Sequence, residues 1–183
     1  MDESNQFKIL PRISFGQAVK NVFGKYATFT GRARRSEYWW FQLFDFIVVF
    51  LASILDELLG LGISDTGEGI LTIIVTLVLL LPCLSVFWRR LHDMGKSGWN
   101  YLWVIIPAAL CSIFAVAQLY VLTILVGIVT IVTAVMLVVW CCMDSQPEEN
   151  QYGPSPKYQQ ITNVSHDEGQ SIPDDHSDSE IIQ

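Results

Sequence analysis

Three short stretches hold the side chains able to do chemistry: "GRARRSEYWW" (residues 31–40), "RRLHDMGKSGW" (89–99) and "PEENQYGPSP" (147–156). The first two contain five arginines, Arg32, Arg34, Arg35, Arg89 and Arg90, together with Lys96, Glu37, His92 and Asp93. A guanidinium forks onto a carboxylate as a bidentate ion pair, or onto the phosphate of a lipid headgroup or an acidic ligand. The expected pairs are Asp93 with Arg34 or Arg35, and Glu37 with Arg90, which makes Glu37 and Asp93 candidates for structural ion pairs. Two carboxylates do not neutralise five arginines. Arg32, Arg34, Arg35, Arg89, Arg90 and Lys96 are therefore candidates for binding anionic lipid or an acidic ligand, at about 1 kcal/mol per juxtamembrane charge. Gly95, Ser97 and Gly98 would supply a flexible loop with donors, walled by Trp88 and Trp99. His92–Asp93 and Ser97 suggest acid/base or nucleophilic work. However, neighbouring residues on a helix do not face each other, and no nucleophile elbow or metal-ligand spacing is present. The expectation is a binding or scaffold protein, not an enzyme, with no cofactor and no metal.

The elements that must position these residues are membrane helices. Of 183 residues, 51% are hydrophobic and only 16% are charged, and the mean hydropathy is +0.39. Those values fit a membrane protein better than a soluble domain. Three apolar blocks run from about residue 39 to 59, 70 to 88, and 99 to 142. About 20 residues cross a bilayer, so the last block holds two spans. Polar atoms at Gln118–Tyr120 mark the hairpin between them. The prediction is four transmembrane helices at about 39–59, 70–88, 99–117 and 119–142. Three helices with a re-entrant segment is the alternative; it would leave unpaired amide groups in lipid.

Charge sorts by side. Ten of the eleven Lys and Arg precede residue 100, Lys157 being the exception, and nine of the eighteen acids follow residue 143. The loop "GLGISDTGEG" and the Gln118 hairpin carry no Lys or Arg. Every basic residue falls on one face if both termini are cytoplasmic. Tyr38, Trp39 and Trp40 then lie at headgroup level. The polar, acidic start "MDESNQFKIL" does not read as a cleavable signal peptide. The pI of about 4.8 argues against nucleic acid as a partner. The expected partners are the bilayer, anionic phospholipids, and a partner membrane protein or a second copy of the chain.

Ahead of the first span, Phe15, Ala18, Val19, Val22, Phe23 and Tyr26 follow helical spacing, and Ser14 with Gln17 matches a capping box. This predicts an amphipathic helix over 14–26, lying on the cytoplasmic leaflet or packed on its own bundle. Residues 1–13 read as a polar segment, 14–156 as the membrane domain, and 157–183 as a disordered acidic tail. His166, Asp167, Asp174, Asp175 and His176 lack the spacing of a structural metal site. Asp45 stands about 10 Å inside the inner interface by helix rise. A membrane-embedded acid is a candidate functional group, answered by a snorkelling Arg89 or Arg90 or by a Ser or Thr hydroxyl. A small transporter or channel subunit is the second reading; one deep acid and only Thr123, Thr130 and Thr133 as mid-membrane polar groups on the last two helices argue against a monomeric transporter and leave an oligomeric pore. Asp56 and Glu57 read as solvated rim charges. Pro82 and Pro107 permit kinks, and the four cysteines read as small buried hydrophobes.

The first stretch, extended to "YATFTGRARRSEYWW" (residues 26–40), and then the other two, in that order, resemble the signatures of the bacterial domain of unknown function 805 family. The resemblance spans residues 15–156. The third stretch departs from the family pattern at Glu148, where Gly usually follows Pro147, and at Gln151, where a basic residue is common. The resemblance implies an integral protein of the bacterial inner membrane, and it implies no reaction.

Overall fold

The computed structural model describes residues 7–63 and 69–161. Over these residues the chain is helical apart from two short strands. The elements are β1 (Phe7–Ile9), α1 (Phe15–Gly24), α2 (Arg35–Leu59), α3 (Ile70–Asp93), a 3₁₀ turn (Gly98–Tyr101), α4 (Leu102–Val116), α5 (Tyr120–Cys142) and β2 (Tyr158–Gln160). Three helical segments are long and apolar enough to cross a membrane: Ile70–Asp93, Gly98–Val116 and Tyr120–Cys142.

α2 and α3 form an antiparallel pair tied at both ends. At one end the Asp56 carboxylate caps α3. It accepts from Leu71 N at 3.0 Å, and from Thr72 N and Thr72 Oγ1 at 2.8 Å each. These are amide groups that a helix N-terminus otherwise leaves unpaired. Asp56 is therefore buried rather than a solvated rim charge, whereas Glu57 is exposed. Gly69 makes room for it, since a Cβ there would lie 1.9 Å from Asp56 Cγ. At the other end Glu37 meets Arg89. Between them Phe41, Leu79 and Val86 form the buried core, with Val48, Val75 and Cys83 packed on it. α2 ends at Gly60, whose left-handed φ of 63° is the usual helix stop. It begins at Arg35, four residues before the expected start, and α3 runs on through Asp93, so Arg35, Glu37, Arg89, Arg90, His92 and Asp93 are themselves helical.

Ser14 caps α1, its hydroxyl accepting from Gln17 N at 3.4 Å. The apolar stripe turns onto the chain's own helices. Ala18 and Val22 are fully buried, Phe15 packs on Trp40 and Phe44, and Phe23 packs on Phe41 and Phe44. The Tyr26 hydroxyl donates to the Val78 carbonyl, and the Ser85 hydroxyl to the Lys25 carbonyl at 3.1 Å.

α4 and α5 form a hairpin that reverses over residues 117–119, with Gln118 at φ 58°. No α4 residue is buried, and in α5 only Leu137 and Cys141 are. A helix apolar all round and uncovered by protein suits a lipid surrounding. The hydroxyls of Thr123, Thr130 and Thr133 bond back to the carbonyls of Leu119, Val126 and Val129 on their own helix.

The strands were not expected. β1 pairs antiparallel with β2 in the register Phe7↔Gln160, Lys8↔Gln159 and Ile9↔Tyr158. Residues 157–161 thus belong to the folded unit rather than to the tail. Their polar sequence offers no apolar period. The tail readings, including those for His166, Asp167, Asp174, Asp175 and His176, lie outside the described residues.

Candidate functional site

Four parts of the chain converge: residues 31–37, the last turn of α3, the end of α5, and residues 144–156. Two left-handed glycines permit the approach, Gly31 at φ 81° and Gly95 at φ 68°. Gly95 closes a Schellman stop on α3, in which Lys96 N donates to Leu91 O and Gly95 N to His92 O, both at 3.0 Å. Residues 31–34 lie alongside this end of α3, with Ala33 N donating to Arg89 O at 3.0 Å.

The fully buried Asp93 sits between two guanidinium groups. Its Oδ1 accepts from Arg32 at 2.9 Å, and its Oδ2 accepts from Arg90. The two arginines direct their other donors to main-chain carbonyls. Arg32 donates to Gln146 O at 2.6 Å, Glu148 O at 2.8 Å and Gly153 O at 3.2 Å. Arg90 donates to Cys141 O at 3.2 Å, to Trp140 O and Ala33 O at 3.4 Å each, and to Met143 O. A second pair lies beside this one: Arg89 Nη1 donates to Glu37 at 2.8 Å, and Arg89 is fully buried.

These partners correct the expected ones. Asp93 takes Arg32 and Arg90, not Arg34 or Arg35, and Glu37 takes Arg89, not Arg90. Successive residues on a helix point about 100° apart, so Arg89 reaches α2 while Arg90 turns to the end of α5. Arg34 faces away, donating to the carbonyls of Pro11 at 2.5 Å and Leu10 at 3.3 Å. Of the six basic candidates, Arg32, Arg34, Arg89 and Arg90 are buried and engaged within the chain. Lys96 lies 4.4 Å over the Trp140 ring. Arg35 is exposed, with Nη1 donating to Cys142 O at 3.2 Å.

His92 and Asp93 do not work as a pair. The His92 ring stacks on Tyr152 at 3.7 Å, and its Nδ1 lies 3.2 Å from the Gly31 carbonyl. The third motif closes the site. Asn150 and Gly153 bond each other main chain to main chain, and the Asn150 amide donates to His92 O at 3.0 Å. Glu148 contributes only a carbonyl, which any residue supplies, so its departure from the family pattern costs nothing there. Gln151 is exposed. The sequence reading assigned no role to Gln146, Asn150 or Tyr152. Their signal was an Asn–x–x–Gly turn placed soon after a helix that must end beside Arg90.

Gly98 packs under Trp88. A Cβ at Gly98 would lie 2.0 Å from Trp88 Nε1, and Phe29 and Trp99 hold that indole edge-on from 5.8 and 5.6 Å. Gly98→Ala should therefore lower stability by about 1–3 kcal/mol, the usual cost of overpacking. The fall in apparent melting temperature in detergent measures it.

Two further groups lie outside this network. Asp45 lines a cleft of about 350 Å³ between α2 and α3 with Gln42, Thr76, Cys83 and Tyr101, and the Cys83 thiol sits against it. Neither Arg89 nor Arg90 answers Asp45, since both have the partners given above. Asp144 pairs with Lys157 just past α5. The hydrogen bond from Lys157 holds the Asp144 carboxyl below the ordinary carboxylate range, so this contact is present near neutrality and lost as pH falls through that lowered value.

A mainly helical chain with three segments among the described residues able to span a bilayer is a membrane protein by class. Its residues 26–154 match the family described as "Protein of unknown function (DUF805)", and the chain belongs to that family. It is similar to Inner membrane protein YhaH of Escherichia coli (strain K12), 35% identical over 136 residues, which is 74% of this chain and 93% of the relative. It is also similar to Inner membrane protein YhaI of the same strain, 30% identical over 138 residues, 75% of this chain and 93% of the relative. No solved structure matches it significantly.

Proposed function

We propose that the chain is a four-span inner-membrane protein with both ends cytoplasmic, and that it works by binding rather than catalysis. In this reading it is a scaffold that presents a basic, aromatic cytoplasmic face to anionic lipid or to an acidic segment of a partner protein. One observation carries it. Glu37, His92 and Asp93, the titratable side chains of the first two motifs able to do acid/base chemistry, are closed into contacts that hold the chain together. The fourth span is α2: its 25 residues extend about 37 Å, antiparallel to a neighbour that is itself apolar enough to span. The basic residues then lie on one side, as topology rules require.

Reporter fusions after Gly62 and Lys96 and at Gln183 test the arrangement. The expected readings are outside, inside and inside. An outside reading at Gln183 would remove the four-span arrangement.

The second reading is a channel or transporter subunit, favoured by the Asp45 cleft. The three threonine hydroxyls of α5 turned back on their own helix weigh against a polar path. Ion flux through the purified chain in liposomes, abolished by Asp45→Asn, would establish that reading.

A further inference from the structure

We infer that the groove between the β1–α1 segment, the first turns of α2 and the chain leaving α5 is a binding site for the headgroup of an anionic phospholipid. This rests on the cytoplasmic placement of Arg35 proposed above. The groove encloses about 690 Å³, and its walls include Arg12, Arg34, Arg35, Trp39, Trp40 and Ser145.

Three observations point to a phosphate ester carrying an acyl tail. The first is charge. Arg12, Arg34, Arg35 and Lys157 line the groove against one carboxylate, Asp144, which leaves three positive charges uncompensated. Arg34 shapes the wall by holding the carbonyls of Leu10 and Pro11, while Arg12 and Arg35 are exposed residues. The second is a built polar group. Ser145 is one of the lining residues and is only 5% exposed, and its buried Oγ has no hydrogen-bond partner among the described residues. A buried hydroxyl normally finds one, and a phosphate oxygen would complete it. The third is the apolar wall. Trp39, Trp40 and Leu43 are 40%, 39% and 43% exposed and continue from the basic end down α2. Free phosphate has no use for that wall, whereas a glycerolipid places its backbone and first methylenes along it. Indole rings also favour the headgroup level.

The test uses the full chain, purified in mild detergent, exchanged into vesicles of equal phosphatidylglycerol and phosphatidylcholine, and re-extracted. Native mass spectrometry then counts the lipids retained. The wild type should keep phosphatidylglycerol over phosphatidylcholine. Arg12→Gln with Arg35→Gln should lower that retention about fivefold per arginine, the factor matching about 1 kcal/mol per juxtamembrane charge. Both side chains are exposed, so the fold should survive, and an unchanged melting temperature checks this. Ser145→Ala should lower retention without altering charge. Trp39→Ala with Trp40→Ala should lower it while leaving the cations in place. Equal retention by wild type and the double arginine variant would overturn the inference. So would full displacement of the lipid by millimolar inorganic phosphate together with indifference to both tryptophans, because the site would then be one for free phosphate. The reporters separate the two levels. Cytoplasmic ends without lipid selectivity remove the groove and leave the proposed arrangement, whereas an inside reading after Gly62 removes that arrangement and the cytoplasmic site with it.

Discussion

Glu37→Gln should destabilise the protein by about 5 kcal/mol, the upper end of what breaking a buried ion pair costs. Arg89 is fully buried, and Glu37 accepts from its Nη1 at 2.8 Å. Its Nε and Nη2 have no acceptor among the described residues. Glutamine keeps the shape of the side chain and removes the charge, so the loss would not come from a cavity. It would come from a guanidinium left in a dry site without a counter-charge, for which desolvation is severe. An exposed pair of the same geometry would be worth at most about 1 kcal/mol. Melting in detergent measures the effect. Adding Arg89→Met should recover most of it, because an apolar side chain in place of the charge removes the penalty at its source. A Glu37→Gln protein that melts like wild type would show that Arg89 has another acceptor.

Asp93→Asn should cost less, about 3 kcal/mol, although it removes the counter-charge of two arginines. Carbonyl dipoles make the difference. Arg32 keeps the carbonyls of Gln146, Glu148 and Gly153, and Arg90 keeps those of Ala33, Trp140, Cys141 and Met143. These partly solvate the two cations. The loss should also be directional. Residues 144–156 are held to this end of α3 chiefly through Arg32 and Asn150. Limited proteolysis of the variant should therefore cut in that segment before any helix, and simultaneous cutting throughout would contradict the ordering.

The helices were legible because their signals are local. The apolar runs, the break at Gln118 and the stripe from Phe15 to Tyr26 each lie within one segment. The convergence of the three motifs on one face was also readable, from charge sorting alone. The partners were not. Which arginine meets Asp93 depends on the rotation of α3 and on the path of residues 31–34, and period and spacing fix neither. Arg32 stood among the candidates for lipid or an acidic ligand: its carboxylate partner Asp93 was assigned to Arg34 or Arg35, and its other acceptors are carbonyls of residues 146–153, which have no sequence signature. Asp56 was misjudged for a related reason. Its role as the cap of α3 requires the α2–α3 turn to close, which the polar loop does not announce. The β1–β2 pair lies about 150 residues apart in the chain and three residues deep, too short for any period to show.

Arg32 and Asp93 act as one unit joining the three motifs. The most direct measurement is a double-mutant cycle in detergent with Arg32→Gln, Asp93→Asn and both together. The structure predicts that the double variant loses at least about 1 kcal/mol less than the sum of the single losses, as residues sharing a buried contact do. Losses that add to within about 0.5 kcal/mol, as for distant independent sites, would contradict it.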